Sequence, residues 1–242
     1  MPSLTPILSV ADSAKNYLRN LIKSVFLPGL RSPCQLKFFG NKVGYWIREL
    51  EFQPDSPLIV VSAGVGFDID FELELAAEYS DFISIDLLDP SPVAQQTWRS
   101  LSDKVPSSIK FIPAALASHT GQISMAQQGS TPDLYQLSQA NSFSGIVAPC
   151  VSLVTLLEQH QANKIDLLKI DIEGFEYEVL RALLSSRIPV DQIVVEFHDW
   201  MLGPFWRLQT FLIVRGLLRQ GYVLVHRCHN DYTFLRRNLL DG

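Results

Sequence analysis

Cysteine is scarce in this chain: Cys34, Cys150 and Cys228 are the only three, scattered and with no Cys-x-x-Cys pair. That excludes a disulfide framework and a clustered zinc site, and a reducing, cytoplasmic setting is the expectation. Basic charge is also short, with 20 Lys and Arg against 25 Asp and Glu and a formal net charge of -5. The mean surface field then repels a phosphate backbone, so nucleic acid is not an expected partner. Long apolar runs are missing too. The most apolar stretch, Phe211 to Leu218, is interrupted by Arg215, and the first residues lack the continuous apolar core of a signal peptide. Neither a membrane span nor export is expected. There is no Gly-x-x-x-x-Gly-Lys-Ser/Thr loop and no His-Glu-x-x-His helix. Phosphate cradling by a P-loop and zinc-protease chemistry fall away with them.

What is present suits one sizeable core, with 242 residues of which 47% are hydrophobic. Val10, Ala14, Tyr17, Leu18, Leu21, Ile22 and Val25 recur at helical spacing, with Lys15, Arg19 and Lys23 on other faces. Residues 1–35 therefore read as an amphipathic helix and linker that covers the domain or forms a homodimer, in preference to lying on a membrane. Residues 36–242 read as the main domain. From Leu58 onward short apolar runs alternate with helical stretches, the habit of a parallel sheet wrapped by helices. Strands are expected at Leu58 to Val61, Phe82 to Leu88, Ile109 to Ile112, Ile165 to Ile170 and Gln192 to Phe197. The ending differs: Tyr222 to Val225 and Tyr232 to Leu235 are joined by so short a link that they must be antiparallel. Gly121 to Ser144 shows no clear periodicity and reads as a long loop or lid.

Three groups of residues carry candidate chemistry. Gly64-Val65-Gly66 follows the first buried strand, where glycines let the backbone turn sharply and approach a ligand. Asp89 ends the second strand, near the offset at which an acid meets a ribose diol; Asp86 is a rival, and capping of the next helix is the plain alternative. Ile69 occupies the slot where a nicotinamide fingerprint wants Gly or Ala, which points away from a dehydrogenase. Lys169, Asp171 and Glu173 alternate at the end of the fourth strand, where open α/β sheets bind ligands. Asp171 or Glu173 capping the next helix is the structural alternative. His198 ends the fifth strand in Glu196-Phe197-His198-Asp199, and a histidine there is suited to take a proton from a hydroxyl. His119, His160, His226 and His229 read as surface or loop residues.

Ile165 to Leu180, IDLLKIDIEGFEYEVL, resembles the signature of the FkbM-type methyltransferases. The resemblance extends to Phe111 to Ala117 followed by Gly121, to Val190 to His198, to Gly44-Tyr45-Trp46 and to Asp89-Pro90-Ser91-Pro92. It implies an α/β class I methyltransferase fold: a doubly wound, mostly parallel seven-stranded Rossmann-like sheet with an antiparallel last strand. It implies S-adenosyl-L-methionine as cofactor, with its methionine part near Ser62, Gly64 and Gly66, its ribose at Asp89, its adenine near Ala115 and Leu116, and Asp171 facing the methyl group or the substrate. The expected reaction is O-methylation of a small hydroxylated acceptor such as a sugar or glycolipid head group. His198 is the first candidate base, Asp171 the second and Glu173 the third. Two alternatives stand beside it: a divalent cation held by Asp171, Glu173 and His198, and a binding module whose cofactor site has decayed. The second draws on two departures from the family pattern, Ser62 where many members have an acid and Phe67 where one branch has Glu.

Overall fold

The computed structural model describes residues 34–41, 43–52, 56–127, 135–137, 145–202 and 204–240. The expected helix at residues 10–25 lies outside them. The described chain opens with the antiparallel pair β1 (Lys37–Gly40) and β2 (Gly44–Ile47). Then follow β3 (Leu58–Ala63), α1 (Asp70–Tyr79), β4 (Ile83–Leu88), α2 (Pro92–Leu101) and β5 (Ile109–Ile112). The middle holds β6 (Ala115–Leu116), β7 (Gly121–Gln127), β8 (Tyr135–Leu137), β9 (Gly145–Val151) and α3 (Leu153–His160). The rest is β10 (Ile165–Ile170), α4 (Glu176–Ser186), β11 (Val190–Glu196), α5 (Asp199–Leu202), α6 (Pro204–Arg219), β12 (Tyr222–Cys228) and β13 (Asp231–Arg236).

Seven strands form the main sheet in the order β12, β13, β11, β10, β3, β4, β5. From β11 to β5 every neighbouring pair is parallel, whereas β13 runs antiparallel between β11 and β12. The order reverses between β3 and β10, so their carboxyl ends flank the crevice where such sheets bind ligands.

All six residues of β3 and all six of β10 are buried, as parallel strands covered on both faces require. One face turns Leu58, Val60, Ile85, Leu87, Leu167 and Val194 into a core shared with Phe71, Leu75 and Ala76 of α1 and with Tyr45 and Ile47 of β2. Asp86, alternating with Ile85 and Leu87, faces the other way and meets His160 Nε2 at 2.7 Å, so the end of α3 covers the opposite face. Asp86 is thus a buried structural partner, and His160, read as a surface residue, is half of that pair.

The observed elements match the expected ones within a few residues, with one substantial correction. Residues 121–127 are no loop: β7 pairs antiparallel with β9 in a four-stranded second sheet ordered β6, β9, β7, β8. Ile123 and Met125 point inward to a small core with Ala115, Ala148, Cys150 and Phe175, while Gln122 and Ser124 face solvent. That sheet holds β6, and with it Ala115 and Leu116, beside the crevice.

Candidate active site

A cleft of about 300 Å³ opens over the carboxyl ends of β3, β4 and β10. One wall is the turn after β3. Gly64 adopts φ +92°, and a Cβ added there would lie 1.7 Å from the carbonyl oxygen of Asp171, so only glycine lets the two strand ends close together. Gly66, at φ +53°, has nothing within 4 Å of the place a Cβ would take.

Asp89 holds this turn in shape. Its Oδ2 accepts from the amides of Val65 (2.9 Å) and Gly66 (3.2 Å), and its Oδ1 accepts from Ser91 N (2.8 Å). The cap of α2 is Ser91, whose Oγ accepts from Ala94 N. Oδ2 is fully used by the loop, and Oδ1 keeps one acceptor position. Asp89 therefore has room for one hydroxyl, and a grip on both hydroxyls of a diol requires releasing a loop amide.

Behind the turn, Ser62 is fully buried and faces Glu72 of α1, away from the cleft. The carboxylate missing at position 62 thus arrives from α1. Glu72 lies 3.9 Å from Lys169 Nζ, and Lys169 donates to the carbonyl oxygen of Gly64. All three side chains are nearly or wholly buried and partnered, as buried charge demands. Ala115 and Leu116 line the cleft, and Phe67, 70% exposed, stands at its lip.

The floor is formed by Asp171 and Glu173. Tyr45 donates to Asp171 Oδ2 at 3.0 Å from a hairpin 126 residues earlier. Glu173 sits at φ +52°, a left-handed conformation that costs a non-glycine residue about 1–2 kcal/mol. Strain of that kind gathers where structure is shaped for function. His198 lies beneath, 3% exposed. Its Nε2 is 3.3 Å from Glu173 Oε2, 3.8 Å from Asp171 Oδ1 and 3.9 Å from Glu196 Oε1, and its Nδ1 is 3.4 Å from Glu176 Oε1.

So many carboxylates around one imidazole shift one another. Burial and then Asp171 push Glu196 up to about 7, and burial raises Glu173 and Asp231. Burial by itself lowers His198, but Glu176, Glu173 and Asp171 outweigh it and hold the ring at about 9. Burial and Asp171 also push the Tyr45 hydroxyl well above its ordinary value.

Of the residues expected at the site, Gly64, Gly66, Asp89, Ala115, Leu116, Asp171 and Glu173 line one cleft. Ser62 and His198 stand one layer behind. Sequence reasoning passed over Tyr45, Glu176 and Asp231 as site residues, and Glu72 altogether. Their only local signal is an acid or phenol at the edge of an apolar run.

The sheet order, the reversed last strand and a glycine turn facing an acidic strand end define a class I methyltransferase fold. The chain belongs to the methyltransferase FkbM domain family, whose model matches residues 54–224. Among solved structures it is similar to a methyltransferase FkbM from Methylobacillus flagellatus KT, with 14% identity and a TM-score of 0.46 over 74% of this chain and 43% of that one. Monomeric WbdD shares 14% identity and a TM-score of 0.43, over 75% of this chain and 36% of its own. A putative rRNA-methylase from Clostridium thermocellum shares 10% identity and a TM-score of 0.42, over 74% and 88% respectively. The chain spans less than half the length of the first two. No curated protein matches it. No helix among the described residues is long and apolar enough to cross a membrane.

Proposed function

We propose that the chain transfers a methyl group from S-adenosyl-L-methionine to a hydroxyl of a small acceptor, such as a sugar or glycolipid head group. The observation that carries this reading is the charge of the cleft lining. Asp68, Asp70, Glu72, Asp89, Asp171 and Glu173 line it against Lys169, the one cation among its described residues, which Glu72 already pairs, an acidic excess that suits a ligand bearing sulfonium and ammonium charges. The same excess repels the pyrophosphate of a nicotinamide dinucleotide.

The residues fit the cofactor's parts. Asp89 keeps one acceptor position for a ribose hydroxyl while it holds the loop, and Leu116, Met125 and Phe175 offer an apolar seat for a base. When bound, the cofactor supplies an already activated methyl, so the protein has chiefly to align an oxygen and take its proton. Gly64, Gly66 and Asp89 would hold the cofactor, which would supply the methyl to the acceptor oxygen and keep the carbon–sulfur electron pair as the thioether, while a cleft carboxylate would take the hydroxyl proton. Glu173 is the first candidate for that proton, because it lines the cleft and its Oε2 has no hydrogen-bond partner. Tyr45 orients Asp171 beside it. His198, the first candidate from sequence, lies behind these carboxylates and acts through them. Trp200 and Phe205, 54% and 62% exposed, follow His198 in the chain and offer faces for an acceptor ring. The sequence pattern of residues 1–35 supports the proposal of an amphipathic helix and linker that covers the domain or self-associates.

Calorimetric titration with S-adenosylhomocysteine tests the reading. One molecule bound per chain, and weaker binding in Asp89→Ala, are expected. No binding removes the enzyme reading and leaves a binding module built on the fold.

A further inference from the structure

We infer that Asp171, Glu196 and His198 form a site for one divalent cation of the Mn²⁺ class at the acceptor end of the cleft. The binding is independent of the reaction, whereas the role of the cation rests on the methyl-transfer reading above.

One oxygen of Asp171, one of Glu196 and one ring nitrogen of His198 lie within 4.8 Å of one another. Nε2 is 3.8 Å from Asp171 Oδ1 and 3.9 Å from Glu196 Oε1, too far for hydrogen bonds. Ligands each about 2.1 Å from one ion stand about 3.0 Å apart at right angles and about 4.2 Å apart in opposition. Both separations from Nε2 fall inside that range, and the two carboxylate oxygens, within 4.8 Å of each other, need close in by only a few tenths of an ångström.

The histidine supplies an independent indication. It is 3% exposed and aims Nε2 into the group, yet its Nδ1 and the neighbouring Glu173 Oε2 are buried without a hydrogen-bond partner. Its backbone is pinned, because Glu176 Oε1 accepts from His198 N at 2.8 Å. The same oxygen stands 3.4 Å from Nδ1. A carboxylate beside the far nitrogen of an imidazole is the usual support for a metal-bound histidine, and closing this 3.4 Å gap into a hydrogen bond would leave Nε2 free to ligate. Asp171 is supported likewise: Tyr45 occupies Oδ2 and leaves Oδ1 for the ion.

Charge balance points the same way. Asp171, Glu173, Glu176 and Glu196 each place a carboxylate oxygen within 4 Å of a ring nitrogen of His198, four acids around one imidazole. Lys169 is already engaged by Glu72 and Gly64 on the other side of the turn. Two carboxylates to one imidazole make a mostly oxygen donor set that suits Mn²⁺, whereas imidazole-rich sets suit zinc and calcium takes oxygens alone. Because Asp171 also lines the cleft, a free coordination position would receive the acceptor oxygen and make its proton easier to remove.

The test titrates the full chain, stripped with chelator, with Mn²⁺ and reads free ion by its electron paramagnetic resonance. One Mn²⁺ per chain is expected, with affinity at least about tenfold weaker in Glu196→Gln and in Asp171→Asn and unchanged in Glu51→Gln, an exposed carboxylate. No stoichiometric binding, or equal affinity in the two site variants, overturns the inference. Should a site variant fail to fold, nuclear magnetic resonance of the wild type decides instead. Substoichiometric Mn²⁺ is expected to broaden the His198 ring signals ahead of those of His119 and His229, and even broadening overturns the site. Titrating the same preparation with S-adenosylhomocysteine separates the two ideas. Nucleoside bound without Mn²⁺ overturns this inference alone, and Mn²⁺ bound without nucleoside supports the site and overturns the methyl-transfer reading.

Discussion

Glu176, at the start of α4, is fully buried and ties two strand ends together through His198, whose backbone amide donates to its Oε1 at 2.8 Å. Its Oε2 accepts from Gly174 N at 2.7 Å. One carboxylate thus fixes the turn after β10 and the second residue after β11. Glu176→Ala orphans both amides and is expected to lower stability by about 3 kcal/mol, whereas Glu176→Gln, which keeps one acceptor, loses about 1 kcal/mol. Urea midpoints measure both, and equal losses would mean that the carboxylate's bonds to the two amides contribute little.

The two glycines of the turn differ in what surrounds them. At Gly64 a Cβ collides with the Asp171 backbone, while at Gly66 it meets nothing. Gly64→Ala is expected to disrupt the fold or abolish nucleoside binding, and Gly66→Ala to cost only the left-handed backbone, about 1–2 kcal/mol. Thermal melts of the two variants, side by side, check the contrast.

Glu173 combines a strained backbone with a carboxylate on the cleft wall that we propose takes the acceptor's proton. Glu173→Gly relieves the strain, so the urea midpoint is expected to stay level or rise, while methyl transfer falls about 100-fold or more through loss of the proton acceptor. A variant that loses stability and keeps its turnover would show that the residue serves the fold instead.

The cysteines should differ in reactivity. Cys150 is buried, and burial raises its thiol above the ordinary value, whereas Cys228 is exposed at the end of β12. The thiolate is the reacting form, so iodoacetamide at pH 7.5 is expected to modify Cys228 well before Cys150, read by peptide mass spectrometry.

Much of this arrangement was legible in the sequence, for identifiable reasons. β3 and β10 are apolar runs because both faces are covered, and the brevity of the link between β12 and β13 dictated antiparallel pairing. Asp171, Glu173 and His198 stood out as polar residues at the carboxyl ends of such runs. β7 escaped notice because its inward alternation amounts to Ile123 and Met125 between polar neighbours, too short for a periodic signal. Tyr45 stood in the sequence only as part of Gly44-Tyr45-Trp46, with no sign of its partner. Its partner Asp171 lies 126 residues away, and only the folded sheet brings β2 over the end of β10. The engagement of Asp89 by the loop amides, and the arrival of Glu72 beside Ser62, depend equally on tertiary closeness.

The most direct measurement of the central claim is a crystal structure of the chain with S-adenosylhomocysteine. The account predicts the thioether between the Gly64–Gly66 turn and Asp171, with a ribose hydroxyl on Asp89 Oδ1 and the base beside Leu116. A nucleoside bound elsewhere, or a cleft that stays closed by the Asp89 carboxylate at saturating ligand, would contradict it.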